Sequence, residues 1–497
     1  MSAEVFAKCS CSACGNRIQF PIEAAGAIIA CPHCQQQTQL TLDGAQEPLP
    51  VQADVPNPEG MPAEEVPAAE AASAVEILGA FGGPVPRTRT SVFYQLGLLL
   101  VTVTMIILPL IYLAMVCAAA WGVYLYATHF TFLLGSTTGG GRVYLVRIVA
   151  YLGPLFIGVV LVFFMVKPLF ARRGNRSQPL ALNPGAEPTL YAFIARICET
   201  VGAPMPKRID LDCQLNAAAG FRRGLWSLFG HDLVLTIGVP LVAGLNLREF
   251  AGVVAHEFGH FTQGFGMRSS YLIRSVNGWF FRVVYERDAW DMALEQWAAD
   301  AEDWRIMLVV NFARFGVWCS RLLLKLLMFT GHVISCFLLR QMEYDADSYE
   351  IKLAGSEAFE STAKRMAVLN AAQEKAYKEM GFIWKQSHKL PDNFPAYLCK
   401  HEASIPAAAK EQVQDRLGLS RTGFFDTHPS DGDRIRRARR AGEPGVFSLD
   451  LPATILFSNF EVISKQITHI HYIDELEIPI DPSALRAVEN VPMTAQG

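Results

Sequence analysis

Two long stretches without charged residues divide the chain. No Lys, Arg, Asp or Glu occurs between Arg89 and Arg142, and none occurs from Ile148 to Val166. Each stretch is long enough for a helix that crosses the ~30 Å of hydrocarbon in a bilayer. The pattern therefore predicts a two-helix transmembrane hairpin at 91–175, with spans at about 94–126 and 148–168.

The chain on either side of this hairpin differs in composition. Residues 43–90 are rich in Pro, Ala and Glu and poor in aromatic residues, so they cannot bury enough apolar surface to fold and predict a flexible linker. Residues 1–42 before the linker are dense in cysteine. Residues 176–497 are long enough for a larger domain. We therefore expect four parts: a small N-terminal domain, a linker, a membrane hairpin and a larger domain.

The larger domain is predicted to be mainly α-helical with a small β-sheet. Residues 233–237, between Gly230 and Gly238, predict a strand. A helix is predicted after Asn246, which can cap it, with Glu249 as the return partner of a capping box. The apolar stripe of this helix comprises Leu247, Phe250, Val253 and Val254.

The same helix is predicted to continue into His256-Glu257-Phe258-Gly259-His260, an H-E-x-x-H motif. Histidines four residues apart leave the same face of a helix and can hold one zinc ion. Glu257 then lies beside the metal, where its carboxylate can act as general base towards the attacking water. The motif therefore predicts a zinc-dependent hydrolase.

A catalytic zinc site of this type needs a third protein ligand. A metzincin histidine is excluded, because Gln263 and Gly266 stand where that motif requires glycine and histidine. Glu343 is the better candidate, because Asp347 shares its helix face and can orient a ligand histidine. Three other glutamates lie nearer in sequence but lack such a partner: Glu286, Glu295 and Glu302.

These motifs resemble the membrane zinc metallopeptidases of the HtpX and CAAX prenyl protease family, which are gluzincins. The resemblance rests on H-E-F-G-H, on E-Y-D-A-D at 343–347, and on T-H-P-S at 427–430 followed by Arg434. It covers roughly residues 180–440. It implies a membrane-anchored, zincin-type metallopeptidase domain.

The resemblance also implies roles for individual residues. His256, His260 and Glu343 would bind the catalytic zinc. Glu257 would be the general base, and Asp347 would support a ligand histidine from behind.

Residues that contact the substrate follow from the same resemblance. His428 would lie near the substrate carbonyl or the oxyanion, although a T-H-P turn can also be purely structural. The N-A-A segment is similar to the family's N-A-x segment before an edge strand, which pairs with an extended substrate. The residues expected to bind substrate are Asn216, Ala217, Ala218 and Arg434.

An apolar segment at 307–339, interrupted by three basic residues, separates the ligands. A single crossing would leave His260 and Glu343 on opposite faces of the membrane. The segment must therefore cross twice, lie in the interface or pack inside the soluble domain. HtpX-like relatives have a membrane hairpin at this place. Because the charges here are central, we expect an amphipathic, partly embedded pair of helices rather than a full hairpin.

The N-terminal domain contains two C-x-x-C pairs separated by sixteen residues, Cys11/Cys14 and Cys31/Cys34. This spacing predicts a zinc ribbon that holds a structural zinc. Cys9 leaves open which two of the first three thiols bind, and the spacing favours Cys11 and Cys14. A disulfide-linked module would instead require an oxidising compartment.

The charges that flank the hairpin predict its orientation. Basic residues are more numerous outside the two spans than in the connecting loop, so the positive-inside rule places both ends in the cytoplasm. The first twenty residues lack the apolar core of a signal peptide. We therefore expect an integral protein of the cell inner (plasma) membrane, with the ribbon and the catalytic domain facing the cytoplasm.

The expected function is an integral-membrane zinc endopeptidase with one catalytic and one structural zinc, acting on peptide or protein substrates in or near the bilayer. The alternative is a membrane-anchored adaptor whose ribbon recruits a protein partner and whose zincin domain is degenerate. Nucleic-acid binding receives little support, because the formal net charge is −4 and a basic-aromatic platform is lacking. The basic run at 434–440 predicts either a solvated helix face or contact with anionic lipid.

Overall fold

The computed structural model describes residues 6–10, 17–21, 28–30, 37–39, 74–86, 91–135, 141–170, 179–221, 232–262, 265–287, 289–300 and 303–491. The chain divides into two compact units, Met1–Ala69 and Glu70–Gly497. Within the described ranges the fold is mainly helical with small sheets, as the sequence predicts.

The described residues of the first unit form four short strands, which pair as two antiparallel pairs. They are β1 (Phe6–Ser10), β2 (Arg17–Pro21), β3 (Ile28–Ala30) and β4 (Gln37–Gln39). The two cysteine pairs, Cys11/Cys14 and Cys31/Cys34, fall within 11–16 and 31–36, which lie outside the described residues. The zinc ribbon therefore stays a prediction.

Residues 74–86 pack into the larger domain, whereas their composition predicts a linker that extends to residue 90. Helix α1 (Ala74–Gly79) begins this segment. Val85 N donates a hydrogen bond to Thr200 O at 2.8 Å. Composition misses this packing because three apolar side chains, spaced four residues apart, carry it. The buried side chains are Ile77, Phe81 and Val85.

Three described helices are long and apolar enough to cross a membrane: α2 (Val92–His129), α3 (Gly141–Val166) and α9 (Trp304–Ala354). α2 and α3 contain most of the two spans that the uncharged stretches predict. α9 contains the apolar segment at 307–339. The chain thus has a third candidate span in addition to the predicted hairpin.

These three helices pack with α7 (Phe265–Tyr285) around a shared apolar core. Asp291 on α8 (Ala289–Asp300) accepts hydrogen bonds from Lys167 at 3.1 Å and from Arg321 at 2.7 Å. A basic residue within the apolar part of α9 is thereby paired with a buried carboxylate. Each helix contributes a buried side chain to this core: Met105 on α2, Met165 on α3, Ile273 on α7 and Leu324 on α9.

One continuous helix replaces the pair of helices expected at 307–339, so that expectation is wrong. The chain leaves His260 along α7 and returns to Glu343 along α9. α7 packs against α9, although its arginines mask its apolar face in the sequence. The buried positions of that face recur at helical spacing at Ile273, Phe280, Val283 and Val284.

The main sheet of the larger domain consists of β5 (Leu180–Ala181), β6 (Arg208–Asp212), β7 (Ala217–Phe221) and β8 (Leu233–Gly238). Its strand order is β5-β6-β8-β7. β6 and β8 are parallel, and the other two pairings are antiparallel. β8 includes the predicted strand at 233–237. β7 lies at the edge of the sheet.

Helices surround this sheet and complete the main core. The helices are α4 (Pro188–Val201), α5 (Val239–Gly244), α6 (Leu247–Gly259), α10 (Ser356–Ser387), α11 (Phe394–Ser404), α12 (Ala407–Leu419), α13 (Asp431–Ala441) and α14 (Phe460–Ile470). A two-stranded parallel sheet pairs β9 (Leu390–Pro391) with β10 (Leu485–Arg486). In its described residues the larger domain is thus a helical domain whose main core surrounds a four-stranded sheet.

Asp212, at the end of β6, provides a test of the packing around this sheet. Burial raises the pKa of the Asp212 carboxyl to about 6, and nearby Glu475 and Asp210 add repulsion. Because the folded-state pKa lies above the unfolded value, folding disfavours the charged form. This penalty is small up to pH 4, grows as the pH rises from 4 to 6 and is essentially complete at pH 8.

Asp212→Asn should therefore stabilise the protein at pH 8 by about 2 kcal/mol and have little effect at pH 4. An asparagine oxygen can still accept the hydrogen bond that Gln214 N donates at 3.1 Å. Thermal unfolding at the two pH values measures the difference. Asp415→Asn, at an exposed position on α12, is the control. Equal shifts at both pH values would contradict the prediction.

Candidate active site

Helix α6 carries the H-E-x-x-H motif and begins as the sequence predicts. Glu249 N donates to Asn246 Oδ1 at 2.7 Å, and Asn246 N donates to Glu249 Oε2 at 3.2 Å, which completes the capping box. The cap fixes where the helix starts, and its apolar stripe fixes which face is buried. The buried members of the stripe are Leu247, Phe250 and Val254.

Glycines allow α6 to approach α9 closely. A Cβ at Gly259 would lie 3.0 Å from Tyr349 Cδ2 and 3.1 Å from Ala346 Cα. A Cβ at Gly252 would meet α9 at 3.1 Å. Larger side chains at these positions would force the two close-packed helices apart. The glycine inside the H-E-F-G-H motif therefore helps to bring the histidines within reach of Glu343.

The two histidines and Glu343 form a compact donor cluster. His256 Nε2 lies 3.5 Å from Glu343 Oε2, and His260 Nε2 lies 3.9 Å from Glu343 Oε1. The three donor atoms lie within 4.8 Å of one another. Donors around a tetrahedral zinc with bonds of about 2.0–2.2 Å are separated by roughly 3.4 Å. Two nitrogens and one carboxylate oxygen at this spacing could hold a zinc ion.

A second buried group lies behind His256. His256 Nδ1 is 3.1 Å from Asp347 Oδ1 and 3.5 Å from Glu350 Oε2. Arg434 donates to both oxygens of Asp347, through Nη2 at 2.6 Å and through Nε at 3.0 Å. The Asp347 side chain is only 1% exposed. Asp347 thus faces the histidine on one side and a guanidinium on the other, which compensates its buried charge.

The surroundings of the two histidines differ electrostatically. Burial lowers the pKa of His260 to about 3, and the neighbouring charges of His256 and Arg274 act in the same direction. Burial also acts to lower the pKa of His256, but the carboxylates around it raise that pKa well above its ordinary value. A cation bound at Nε2 would take the place of the proton there.

The general-base candidate lies beside the edge strand. Ala219 N, on β7, donates to Glu257 Oε2 at 3.2 Å. Burial raises the pKa of Glu257, although the charges of His256 and Arg274 oppose the rise. A carboxylate with a raised pKa takes up a proton more readily near neutral pH. β7 thus connects the predicted base to the predicted substrate-binding segment.

His428 and Arg274 both contact the same carboxylate oxygen of Glu343. His428 Nδ1 lies 3.4 Å from Glu343 Oε1, and its side chain is 63% exposed. Arg274 Nη2 on α7 also donates to Glu343 Oε1. Tertiary structure therefore brings His428 to the donor cluster, as the resemblance implies. Both side chains could meet a substrate oxygen.

The sequence analysis missed two residues at this site, Arg274 and Glu350. Glu350 follows Glu343 and Asp347 at helical spacing, so an extended E-x-x-x-D-x-x-E pattern could have indicated it. For Arg274 the available signal is weaker. It is an arginine on an otherwise amphipathic helix that follows the H-E-x-x-H motif.

The predicted substrate-binding residues divide into two groups. Ala217 and Ala218 lie on the edge strand β7, and Asn216 immediately precedes it, with its carbonyl accepting from Gly238 N at 2.8 Å. Arg434 instead makes its described contacts with acidic side chains of the protein, chiefly Asp347. These contacts give Arg434 a supporting position behind His256 rather than one on the strand.

The other arginines of the 434–440 run also contact the protein itself. Arg439 makes a bidentate pair with Glu360 at 2.6 Å, and Arg437 lies 4.6 Å from the centroid of the Tyr344 ring. The run is therefore engaged along α13. These contacts give no support to the alternative in which the run binds lipid head groups.

An H-E-x-x-H helix with a downstream glutamate defines the zincin class of metallopeptidases. The model of peptidase family M48 matches residues 185–441, more than half of the chain, and the chain belongs to this family. The resemblance to HtpX-like membrane zinc metallopeptidases is thereby confirmed.

Relatives with this name also match. Protease HtpX of Acinetobacter baylyi is 24% identical over 272 residues, which cover 54% of this chain and 75% of the relative. Protease HtpX of Acinetobacter baumannii (strain AYE) is 25% identical over 265 residues, which cover 52% and 72%. No solved structure matches the chain at a significant level. The chain is a metallopeptidase with apolar helices typical of a membrane protein.

Proposed function

We propose that this protein is an integral-membrane zinc endopeptidase whose catalytic zinc is held by His256, His260 and Glu343. The supporting observation is that Glu343, on α9, lies 3.5 and 3.9 Å from the two histidines of α6. When bound, zinc acidifies the attacking water and polarises the scissile carbonyl. The N,N,O donor set is that of a gluzincin and leaves room for a fourth ligand.

Glu257 is the general base and acid of the proposed reaction. It takes a proton from the attacking water and delivers it to the leaving amine. The hydrogen bond from Ala219 N keeps its carboxylate near the edge strand. Asp347 holds His256 with Nε2 towards the site, and Arg434 balances the buried charge of Asp347. His428 and Arg274 stabilise the developing negative charge on the carbonyl oxygen.

The substrate backbone is proposed to add to the edge of the sheet at β7. An extended peptide can exchange main-chain hydrogen bonds with such an edge strand. Asn216, Ala217 and Ala218 would then contact the substrate main chain. Ala218 and Gly220 carry small side chains or none, and they also line an open space of about 270 Å³ over one face of the sheet, together with Asp210 on β6 and Thr236 on β8.

The proposed substrates are membrane proteins or proteins close to a membrane. The ligand Glu343 lies on the same helix as a candidate membrane span, so the active site is covalently held near the bilayer. The distribution of basic residues favours a cytoplasmic catalytic domain in the cell inner membrane. Quality control of membrane proteins and processing of a defined precursor both fit this location.

The cysteine-rich N-terminus is proposed to hold a second, structural zinc through Cys11, Cys14, Cys31 and Cys34. The domain would then present a surface to a protein partner. The alternative function is a membrane-anchored adaptor with a degenerate zincin domain, and no contact among the described residues favours it. The complete set of ligands and base argues against it, because a decayed site commonly loses one of them.

Zinc stoichiometry tests both zinc assignments. The full chain should bind two zinc ions, and a chain that lacks residues 1–40 should bind one and still hydrolyse peptides after zinc is restored. His260→Ala in the shortened chain should remove that zinc ion, because a ligand is lost. Elemental analysis of the purified protein in detergent measures each value. Full zinc retention by His260→Ala would refute the proposed catalytic site.

A further inference from the structure

A cavity of about 580 Å³ lies between α7, α9 and the loop before α13. Its walls are mostly apolar, from Phe281 on α7, from Met328 and Phe329 on α9, and from Phe425 on the loop. Such a volume suits several side chains, because ligand pockets commonly enclose 300–1,000 Å³. None of the residues that line this cavity lies on β7.

The inner end of the cavity reaches the proposed zinc site. Arg274 and His428 line it, and both side chains contact Glu343. Leu339 also lines it, one helical turn before Glu343. A peptide bound in the cavity could therefore extend into the active site.

The outer end lies far along α9. Met328 precedes Glu343 by fifteen residues, which corresponds to about 22 Å of helix at 1.5 Å per residue. This part of α9 lies within the candidate membrane span Met307–Ala354. The cavity is thus a groove that leads from the active site along an apolar helix. An extended peptide of about seven residues has this length, at roughly 3.3 Å per residue.

The walls of the groove are held in place and partly open to the outside. His332 Nε2 donates to Phe425 O at 2.7 Å, and Arg340 donates to Gly423 O at 2.8 Å, which fastens the loop to α9. The aromatic side chains at its rim are about half exposed: Phe281 at 55%, Phe329 at 55% and Phe425 at 48%. Apolar rings on this face suit contact with hydrocarbon.

We propose that this groove binds the apolar residues on one side of the scissile bond, where a substrate chain enters the bilayer. The inference rests on the proposed peptidase function and adds a substrate class. The enzyme would select chains in which a membrane-spanning segment lies within about seven residues of the cleavage point. Apolar walls hold that segment, while the edge strand holds the polar part of the chain near the cut.

Gly278 allows the groove to be filled. It lines the cavity, and a Cβ there would meet only Arg282 Nη1, at 3.8 Å. Gly278→Phe should therefore place a ring in the groove without displacing backbone. The probes are two synthetic peptides with the same polar cleavage sequence, one joined to an apolar helix of about 20 residues and one without it. Both are assayed in nanodiscs.

The expected result is that Gly278→Phe lowers the ratio of kcat/KM for the membrane-anchored peptide to kcat/KM for the short peptide about tenfold or more. Gly122→Phe is the matched control, because Gly122 lies on α2 with open space around it. That control should keep the wild-type ratio. An unchanged ratio in Gly278→Phe would overturn the inference. Cleavage of neither peptide by the zinc-loaded wild type would instead overturn the proposed function.

A second measurement does not depend on how Gly278→Phe folds. A photo-crosslinking amino acid placed at Phe281 in a Glu257→Gln background should form adducts with the apolar part of the anchored peptide. Competition by excess unlabelled anchored peptide should reduce these adducts. Adducts with bilayer lipid alone would identify the groove as a lipid site and refute the proposal.

Discussion

Glu257→Gln is expected to lower kcat for peptide hydrolysis by roughly 10²–10⁴-fold while the catalytic zinc remains bound. Glutamine has nearly the shape of glutamate but cannot take the proton from the attacking water. Its amide oxygen can still accept the hydrogen bond from Ala219 N, which Glu257 accepts at 3.2 Å. The three proposed ligands are unchanged. Loss of rate therefore isolates the proton transfer.

The measurement combines initial rates on a short unfolded peptide with zinc content determined on the same preparation. Glu374→Gln is the control, since Glu374 lies on the exposed face of α10 and pairs only with Lys378 at 2.6 Å. It should cleave like the wild type. Wild-type rates in Glu257→Gln would refute the proposed mechanism. A variant that lost both zinc and activity would show that Glu257 acts on metal binding instead.

Arg434→Gln is expected to weaken zinc binding about 10–100-fold and to destabilise the fold by roughly 3–5 kcal/mol. The Asp347 side chain is 1% exposed, and Arg434 contacts both of its oxygens. Without the guanidinium, a buried carboxylate next to His256 has lost its main compensating charge. The protein must then protonate Asp347 or move it, and either change disturbs the orientation of His256.

Arg439→Gln is the matched control on the same helix. Arg439 also makes a bidentate pair, with Glu360 at 2.6 Å, but its side chain is 62% exposed. Water can replace that pair, so the cost should stay below about 1 kcal/mol with zinc affinity unchanged. Competition with a chelator and thermal unfolding measure both quantities. Equal effects of the two substitutions would contradict a special role for Arg434.

Several features of the site could be read from short segments. The capping box at Asn246 and the H-E-x-x-H motif depend on residues within one or two helical turns, and the structure reproduces both. The E-x-x-x-D pair of Glu343 and Asp347 is equally local. Geometry within one helix follows from its periodicity, so such patterns predict which side chains share a face.

Other features were misjudged because they depend on distant partners. Composition placed residues 74–86 in a linker, but three apolar side chains of this segment are buried in the main core. Charge interruptions suggested a broken helix at 307–339, but Asp291 on another helix neutralises Arg321, and α9 stays continuous. For Arg434 the sequence indicated substrate contact but not its distant partner, the buried Asp347, to which its guanidinium donates.

The sequence by itself therefore determined the class of enzyme and the presence of apolar helices that suit a membrane. It also predicted the candidate ligand histidines, the candidate base and the candidate third ligand. Only the tertiary structure decided how His260 and Glu343 meet: α7 leads away from His260, and α9 brings Glu343 back to within 3.9 Å of it. It also decided that Arg274 and His428 reach the site and that a groove runs from it along α9. These outcomes depend on packing between elements many residues apart, whereas periodicity and spacing report contacts within a few turns.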